Sequence, residues 1–304
     1  MKALAVILLI SPLLSFAQSV QTQITNEGIL FNEKNDTILF YQTAPKSLKG
    51  EYTRSNYIHP LYNLQGEILT EDFPEDHPHH RGIFWAWHQL YIGDKRIGDG
   101  WEIKNFSWEV TDVETVLSFN ESQSIQVHVL WKSPIWTDEN GSIKPIVEET
   151  TTITVQPKQE NYRAIDIEIS LLALELNMRI GGSEDAKGYG GFSPRIKLPA
   201  DVIFTGPEGT VTAQNLPIEA PGWMDIYSET LSGMTIFSHP QNPGYPNPWI
   251  LRSKNSMQNA VYPHPGATPV SLSDSVPTVL KYRLLVHDGL DSDEIKEQYK
   301  SYCN

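Results

Sequence analysis

The feature that most limits what this chain can fold into is a hydrophobic period of two that recurs along its length. From Arg163 to Leu171, Ile165, Ile167, Ile169 and Leu171 fall on one face, and Asp166, Glu168 and Ser170 on the other. Successive side chains of an extended strand point to opposite faces, so this pattern buries one face and wets the other. Ser124 to Leu130 alternates in the same way. Further strand signals are Thr37 to Tyr41, the aromatic and β-branched run Ile83 to Ile92, the Thr/Val run Val147 to Val155, and Thr278 to His287, closed by Asp288-Gly289. Gly and Pro punctuate between them, as at Glu139-Asn140-Gly141. One helix is predicted: Asp291 and Glu294 have capping-box spacing, and good helix formers continue to Ser301. Long strands do not alternate with long helices, no propeller or solenoid period is visible, and no Gly/Ser linker divides the chain. The expected class is all-β: one large antiparallel β-sandwich with a short C-terminal helix. Two smaller β domains are the alternative.

Residues 1–17 read MKALAVILLISPLLSFA. Lys2, the apolar run Ala3 to Phe16, and the small residues Ser15 and Ala17 have the form of a signal peptide cut after Ala17. The expectation is a periplasmic or extracellular protein whose single domain covers 18–304, with no later stretch that can insert in a membrane. The only cysteine is Cys303, which excludes an intrachain disulfide framework, so stability must come from a packed core. The net charge of −14 argues against nucleic acid as a partner.

Chemistry concentrates between Arg54 and Trp101, where five of the nine histidines lie. The densest run is Asp76-His77-Pro78-His79-His80-Arg81-Gly82. In extended backbone His77 and His79 share a face and can chelate a metal, while His80 faces away. The same imidazoles can instead move protons near neutral pH, or hydrogen-bond sugar hydroxyls. Arg81 is a fixed cationic fork suited to a carboxylate, and Gly82 lets the chain turn into the next strand. A polar turn capped by histidines is the bland alternative. A cupin reading lacks the Glu that should follow the H-x-H pair, and no HExxH occurs. Later segments add candidates: His59; Gly190-Gly191 with Arg195; Trp223 and Asp225; His239 and Asn242; Trp249 and Arg252; and His264, as fit for a structural role as for a functional one. Aromatic faces stack on sugar C–H surfaces, and amide and cationic groups bond hydroxyls. Asp225 among apolar neighbours needs a partner or a ligand if buried.

Taken together, these segments resemble the PmoA-like family, named after a methane oxygenase subunit. The resemblance covers most of the chain after the signal. It rests on His59-Pro60-Leu61-Tyr62, the run Asp76 to Gly82, the segment Gly190 to Arg195, Asp225, His239-Pro240-Gln241-Asn242-Pro243, Trp249 and Arg252. It implies a protein of bacteria that degrade complex carbohydrates, encoded near sugar oxidoreductases and glycoside-processing enzymes. A membrane oxygenase subunit is a bundle of spanning helices, which this chain lacks after its signal, so the family name is not a function. The order of elements also resembles the galactose-mutarotase-like supersandwich, which implies His, Arg and carboxylate groups on a concave sheet face.

Three functional readings follow. The first is an exported enzyme acting on a sugar or glycoside, as lyase, hydrolase or epimerase. In it His77, His79 or His80 moves the proton, and Asp76 or Asp225 orients a histidine or acts as base. Arg81, Arg195 or Arg252 holds a carboxylate or oxyanion; His59, Trp223, His239, Asn242 and Trp249 add contacts to substrate. The second is a glycan-binding protein without catalysis. The third is a metal-dependent enzyme using His77, His79 and a remote His239 or His264; the first two need no cofactor. Oligomeric state is left open.

Overall fold

The alternation from Arg163 to Leu171 lies inside the strand Tyr162–Ala173, where the isoleucines and Leu171 are buried and Asp166, Glu168 and Ser170 reach solvent. This strand pairs on one side with Ile143–Val155 and on the other with Thr278–His287, both antiparallel. The computed structural model describes residues 20–116, 120–230, 232–255 and 257–304; the signal peptide expected over 1–17 lies outside the described residues. Two large sheets dominate. In spatial order, the nine-stranded sheet runs Ser107–Val116, Gln123–Thr137, Ile143–Val155, Tyr162–Ala173, Thr278–His287, Ser232–Ser238, Trp223–Ser228, Ile203–Gly206, Gly209–Val211. The eight-stranded sheet runs Val20–Ile24, Gly28–Glu33, Asp36–Gln42, Tyr57–Leu61, Ile83–Trp87, Gly190–Pro194, Asn259–Val261, Trp249–Ile250. A four-stranded sheet contains Gln89–Ile92, and a two-stranded ribbon pairs Lys46–Leu48 with Glu51–Arg54.

The inner faces of the large sheets meet in one apolar cluster rich in aromatic rings. Phe192 of the eight-stranded sheet stacks on Tyr282 of the nine-stranded sheet, with centroids 4.4 Å apart. Rings of this size each contribute roughly 1.5–3 kcal/mol on burial. A polar network is buried in the protein interior. The carboxylate of Glu149, fully buried, accepts hydrogen bonds from Asn56 Nδ2, Trp85 Nε1, Trp131 Nε1 and Thr151 Oγ1 at 2.6–2.8 Å. The predicted helix forms over Ser292–Cys303, with Asp291 as N-cap and the reciprocal Glu294 bond in place. Its Ile295 is buried against Trp223, Phe237 and Leu285.

The run Ile83 to Ile92, expected as one strand, is two. Ile83–Trp87 belongs to the eight-stranded sheet and Gln89–Ile92 to the four-stranded one, with His88 at the break. Every residue of Ile83–Trp87 is buried, so no alternation marks the change of sheet.

Between the adjacent strands Tyr57–Leu61 and Ile83–Trp87 the chain makes a long excursion, 62–82, which carries the histidine run. Backbone bonds pin it: Gly82 N donates to Glu71 O at 2.7 Å, Glu71 N to Arg195 O at 3.1 Å, and Arg195 N to Gly82 O at 2.7 Å. Gly82 has φ +55°, and a Cβ there would lie 2.1 Å from Ile58 O. Only glycine fits this re-entry.

Candidate functional site

Asp76 to Arg81 is not extended. His77 N donates to Pro74 O and His80 N to His77 O, which makes two successive turns, with Pro78 just after the start of the second. The expectation that His77 and His79 share a strand face is therefore corrected. The turn stacks His77 on His80, with centroids 4.7 Å apart and planes 3° apart. His79 stands edge-on to both, at 5.8 Å and 4.5 Å. All three rings gather, but not as a chelate. His77 Nδ1 is engaged by Asp76 at 2.7 Å, and among the described residues no three His, Cys, Asp or Glu side chains form a metal-binding set.

Arg195 holds this turn. Fully buried, it donates from Nε to Glu71 Oε2 at 2.7 Å, from Nη2 to Asp76 Oδ1 at 2.8 Å, and from Nη1 to His80 Nδ1 at 3.4 Å. Burial pushes the Asp76 carboxyl up, but hydrogen bonds from His77 and Arg195 outweigh it and hold the group below its usual range. Asp76 in turn accepts the Nδ1 proton of His77, whose ring is 44% exposed. His80 is buried; burial, then His79, His77, Arg195 and Arg54, all push its pKa down, so it is a neutral ring. His79 is lowered to about 4, chiefly by burial, with Glu102 opposing and His77, Arg54 and His88 adding to the fall. Its Nε2 lies 3.9 Å from Glu102.

Beside this turn lie groups the sequence reading passed over. His80 contacts the buried ring of Trp101 at 6.0 Å, and His88 stacks on the same ring at 5.2 Å. His88 Nδ1 is 3.0 Å from Asp99 Oδ2, and Arg96 Nη2 donates to the carbonyl of His88 at 2.8 Å. Tyr189 extends the aromatic wall, 5.6 Å from Trp101. Asp99 and Glu102 flank Trp101 in a turn that no motif announces; their proximity to His88 and His79 arises only from folding.

Among the expected site residues, the fold brings together Asp76, His77, His79, His80 and Arg195, and Arg252 joins the edge of the group through Tyr189. Arg252 Nη2 donates to Tyr189 OH, while its other bonds go to the carbonyls of Gln214, Leu251 and Asn215, so it mainly clamps a loop. Arg81 points the other way: its guanidinium is bound by Asp72, Tyr57 and the carbonyls of Lys46 and Tyr52, and lies 3.5 Å from the centroid of the Phe73 ring. It anchors the excursion from beneath, with four of its five N–H donors engaged inside the fold. His59 bonds Thr70 at 2.9 Å, and burial lowers it to about 4 despite Asp72.

The remaining candidates do not join the group. Asp225 is buried in the nine-stranded sheet, accepting from Thr235 Oγ1 and His287 Nε2, each at 2.9 Å. Its partner is internal, so no ligand is required. Trp223 packs under the C-terminal helix. His239 accepts from Gln241 N and faces Tyr302; Asn242 bonds Ser238 and the backbone of Lys281; Trp249 Nε1 donates to Ala220 O. His264 is exposed. Polar side chains satisfied by their own backbone look, in sequence, the same as ligand-binding ones. A cavity of about 500 Å³, lined in part by Asp36, Asn63, Gln65, Lys158 and Arg163, contains no imidazole and shares no residue with the histidine group.

A family model described as a family of unknown function (DUF6807) matches residues 29–300. That match supports an uncharacterised family over most of the chain and does not carry the methane-oxygenase name. No curated protein matches the sequence. One similar solved structure is that of a candidate mutarotase (YeaD) from Salmonella typhimurium, with 10% identity and a TM-score of 0.40, covering 93% of this chain and 97% of that one. Among the described residues no helix is long and apolar enough to cross a membrane.

Proposed function

The chain belongs to the DUF6807 family of unknown function, and we propose that it is an exported enzyme that processes a sugar or glycoside by imidazole acid–base chemistry. One observation carries this reading: three imidazoles, each near a carboxylate, gather beside the Trp101 ring, His88 directly and His77 and His79 through His80. His77 leans on Asp76, His88 on Asp99, and His79 lies beside Glu102. A carboxylate that accepts Nδ1–H fixes the tautomer and leaves Nε2 free to take a proton. His79, lowered to about 4, is unprotonated at neutral pH and ready to act as base. Trp101 and Tyr189 supply faces for the C–H surface of a sugar. Lyase, epimerase and hydrolase outcomes all use such a set; a pair of catalytic carboxylates is not part of it.

A panel of glycans and glycosides incubated with the secreted chain, read by mass spectrometry and NMR, tests the proposal. The expected outcome is a product whose formation falls about 100-fold or more in His79→Gln and His77→Gln. Binding without any product would support the glycan-binding alternative instead. Turnover unaffected in both variants would remove the histidines from the reaction.

A further inference from the structure

Arg54 ends the strand Glu51–Arg54 and is 1% exposed. Its guanidinium carbon lies 4.0 Å from the ring centroid of Trp108 and 4.7 Å from that of Phe84. Nη2 donates to Gly100 O at 2.7 Å, whereas Nε and Nη1 have no hydrogen-bond partner among the described residues. A buried cation without a paired carboxylate is costly, and two cation–π contacts offset only part of that cost. Something other than stability has to account for an arginine at this position.

Its surroundings lead to the histidine group by two routes. Ring contacts run outward from Phe84 to His80 at 6.0 Å, and from His80 to the solvent-facing His77 at 4.7 Å. The carbonyl that Arg54 holds belongs to Gly100, between Asp99, which orients His88, and Trp101; Glu102, beside His79, follows. A single buried side chain thus contacts both the turn that carries the carboxylates and the ring on which His80 rests.

We propose that Arg54 is a positioning residue that, through the Gly100 carbonyl and the Phe84 ring, fixes the Asp99–Glu102 turn against the histidines and sets an unpaired charge beneath them. This rests on reading the histidine group as the acid–base site. The groups that face His79 are Glu102, His77, Arg54 and His88; those that face His80 are His79, His77, Arg195 and Arg54. Arg54 itself is faced by Arg81, Tyr57 and Glu149. Arg54 is the cation common to both histidines. Unlike Arg195, it has no salt-bridged carboxylate to cancel its field. Burial is the first cause of the low proton affinity of both rings, and Arg54 is a further one.

The test is an NMR titration of the imidazole resonances in the full chain, which needs no substrate. Wild type is compared with Arg54→Lys, which keeps the charge, and Arg54→Met, which keeps length without it. His59 is the internal control, since the leading influences on it are burial, Asp72, Lys46, Arg81 and Lys197. In Arg54→Met the proton affinity of His79 should rise about tenfold and that of His80 should rise with it, while His59 stays put. In Arg54→Lys the His79 midpoint should stay within about threefold of wild type. If Arg54→Met does not fold, wild type and Arg54→Lys decide. A wild-type His79 midpoint at or above the ordinary 6.5 overturns the proposal. So does a lysine variant that loses the low midpoint, or a folded methionine variant that keeps it. Absence of any sugar product would count against the acid–base reading but would leave the titration result intact.

Discussion

Glu149 shows what a single residue does in this molecule. Four donors from Asn56, Trp85, Trp131 and Thr151 converge on one fully buried carboxylate. Burial raises its pKa, and the hydrogen bonds offset only part of that rise. The carboxylate offers only acceptors, which is what two indole N–H groups and an amide N–H require. Glu149→Gln keeps the shape but turns one acceptor into a donor that confronts indole N–H. The expected loss is about 3 kcal/mol, read from urea unfolding, because buried donors are left unpaired. A loss under about 0.5 kcal/mol would mean the network is not held as described. Arg81 and Asp225 teach the same lesson about reading residues. Both carry the chemistry of a site, and both are satisfied inside the fold.

At the scale of elements, the excursion 62–82 decides where the chemistry sits. Its re-entry depends on Gly82, whose left-handed φ and 2.1 Å approach to Ile58 O exclude any side chain. Gly66, in the same excursion, also has a positive φ of +85°, but nothing lies within 4 Å of the position its Cβ would take. The pair separates backbone strain from steric clash. Gly66→Ala should cost about 1 kcal/mol. Gly82→Ala should cost at least about 2 kcal/mol more and should move the His80 resonance, because Arg81 and the turn must shift. Equal losses in thermal and urea unfolding would argue against a steric role for Gly82. The break at His88 is a second such decision: two short strands in different sheets place His88 beside Trp101.

For the whole molecule, proton binding couples the site to stability. His59 and His79 are lowered to about 4, and His80 is lowered too, against an ordinary value of 6.5. Between about 6.5 and 4 the unfolded chain therefore binds more protons than the folded one. Stability should be fully present above pH 6.5 and fall as pH drops through this window. The depressed carboxyls of Asp72 and Asp76 add their own loss at lower pH. A series of melting temperatures from about pH 7.5 to 4 checks the sign, and a flat or rising profile on acidification would contradict the burial of these imidazoles. The architecture explains why the whole molecule responds. Thr278–His287, near the end of the chain, lies between Tyr162–Ala173 and Ser232–Ser238 in the nine-stranded sheet, so distant segments stabilise one another.

Sequence by itself determined the elements whose signals are local. Strand alternation at Tyr162–Ala173, the final long strand, and the capping box at Asp291 depend on period and spacing, which adjacent residues carry. It also singled out the run Asp76 to Gly82, by its density of imidazoles, and Arg195, at the end of the glycine-rich segment from Gly188. Tertiary structure alone decided the company they keep. It turned the His77/His79 pair from a strand face into a ring stack, because Pro78 and two backbone bonds close turns there. Asp99, Trp101 and Glu102 came from one turn, His88 from a strand break and Arg54 from beneath, while Asp225, His239, Asn242 and Trp249 went to internal partners. The physical reason is that a polar side chain's role is set by which partner saturates it, and in a sheet protein that partner lies across the fold.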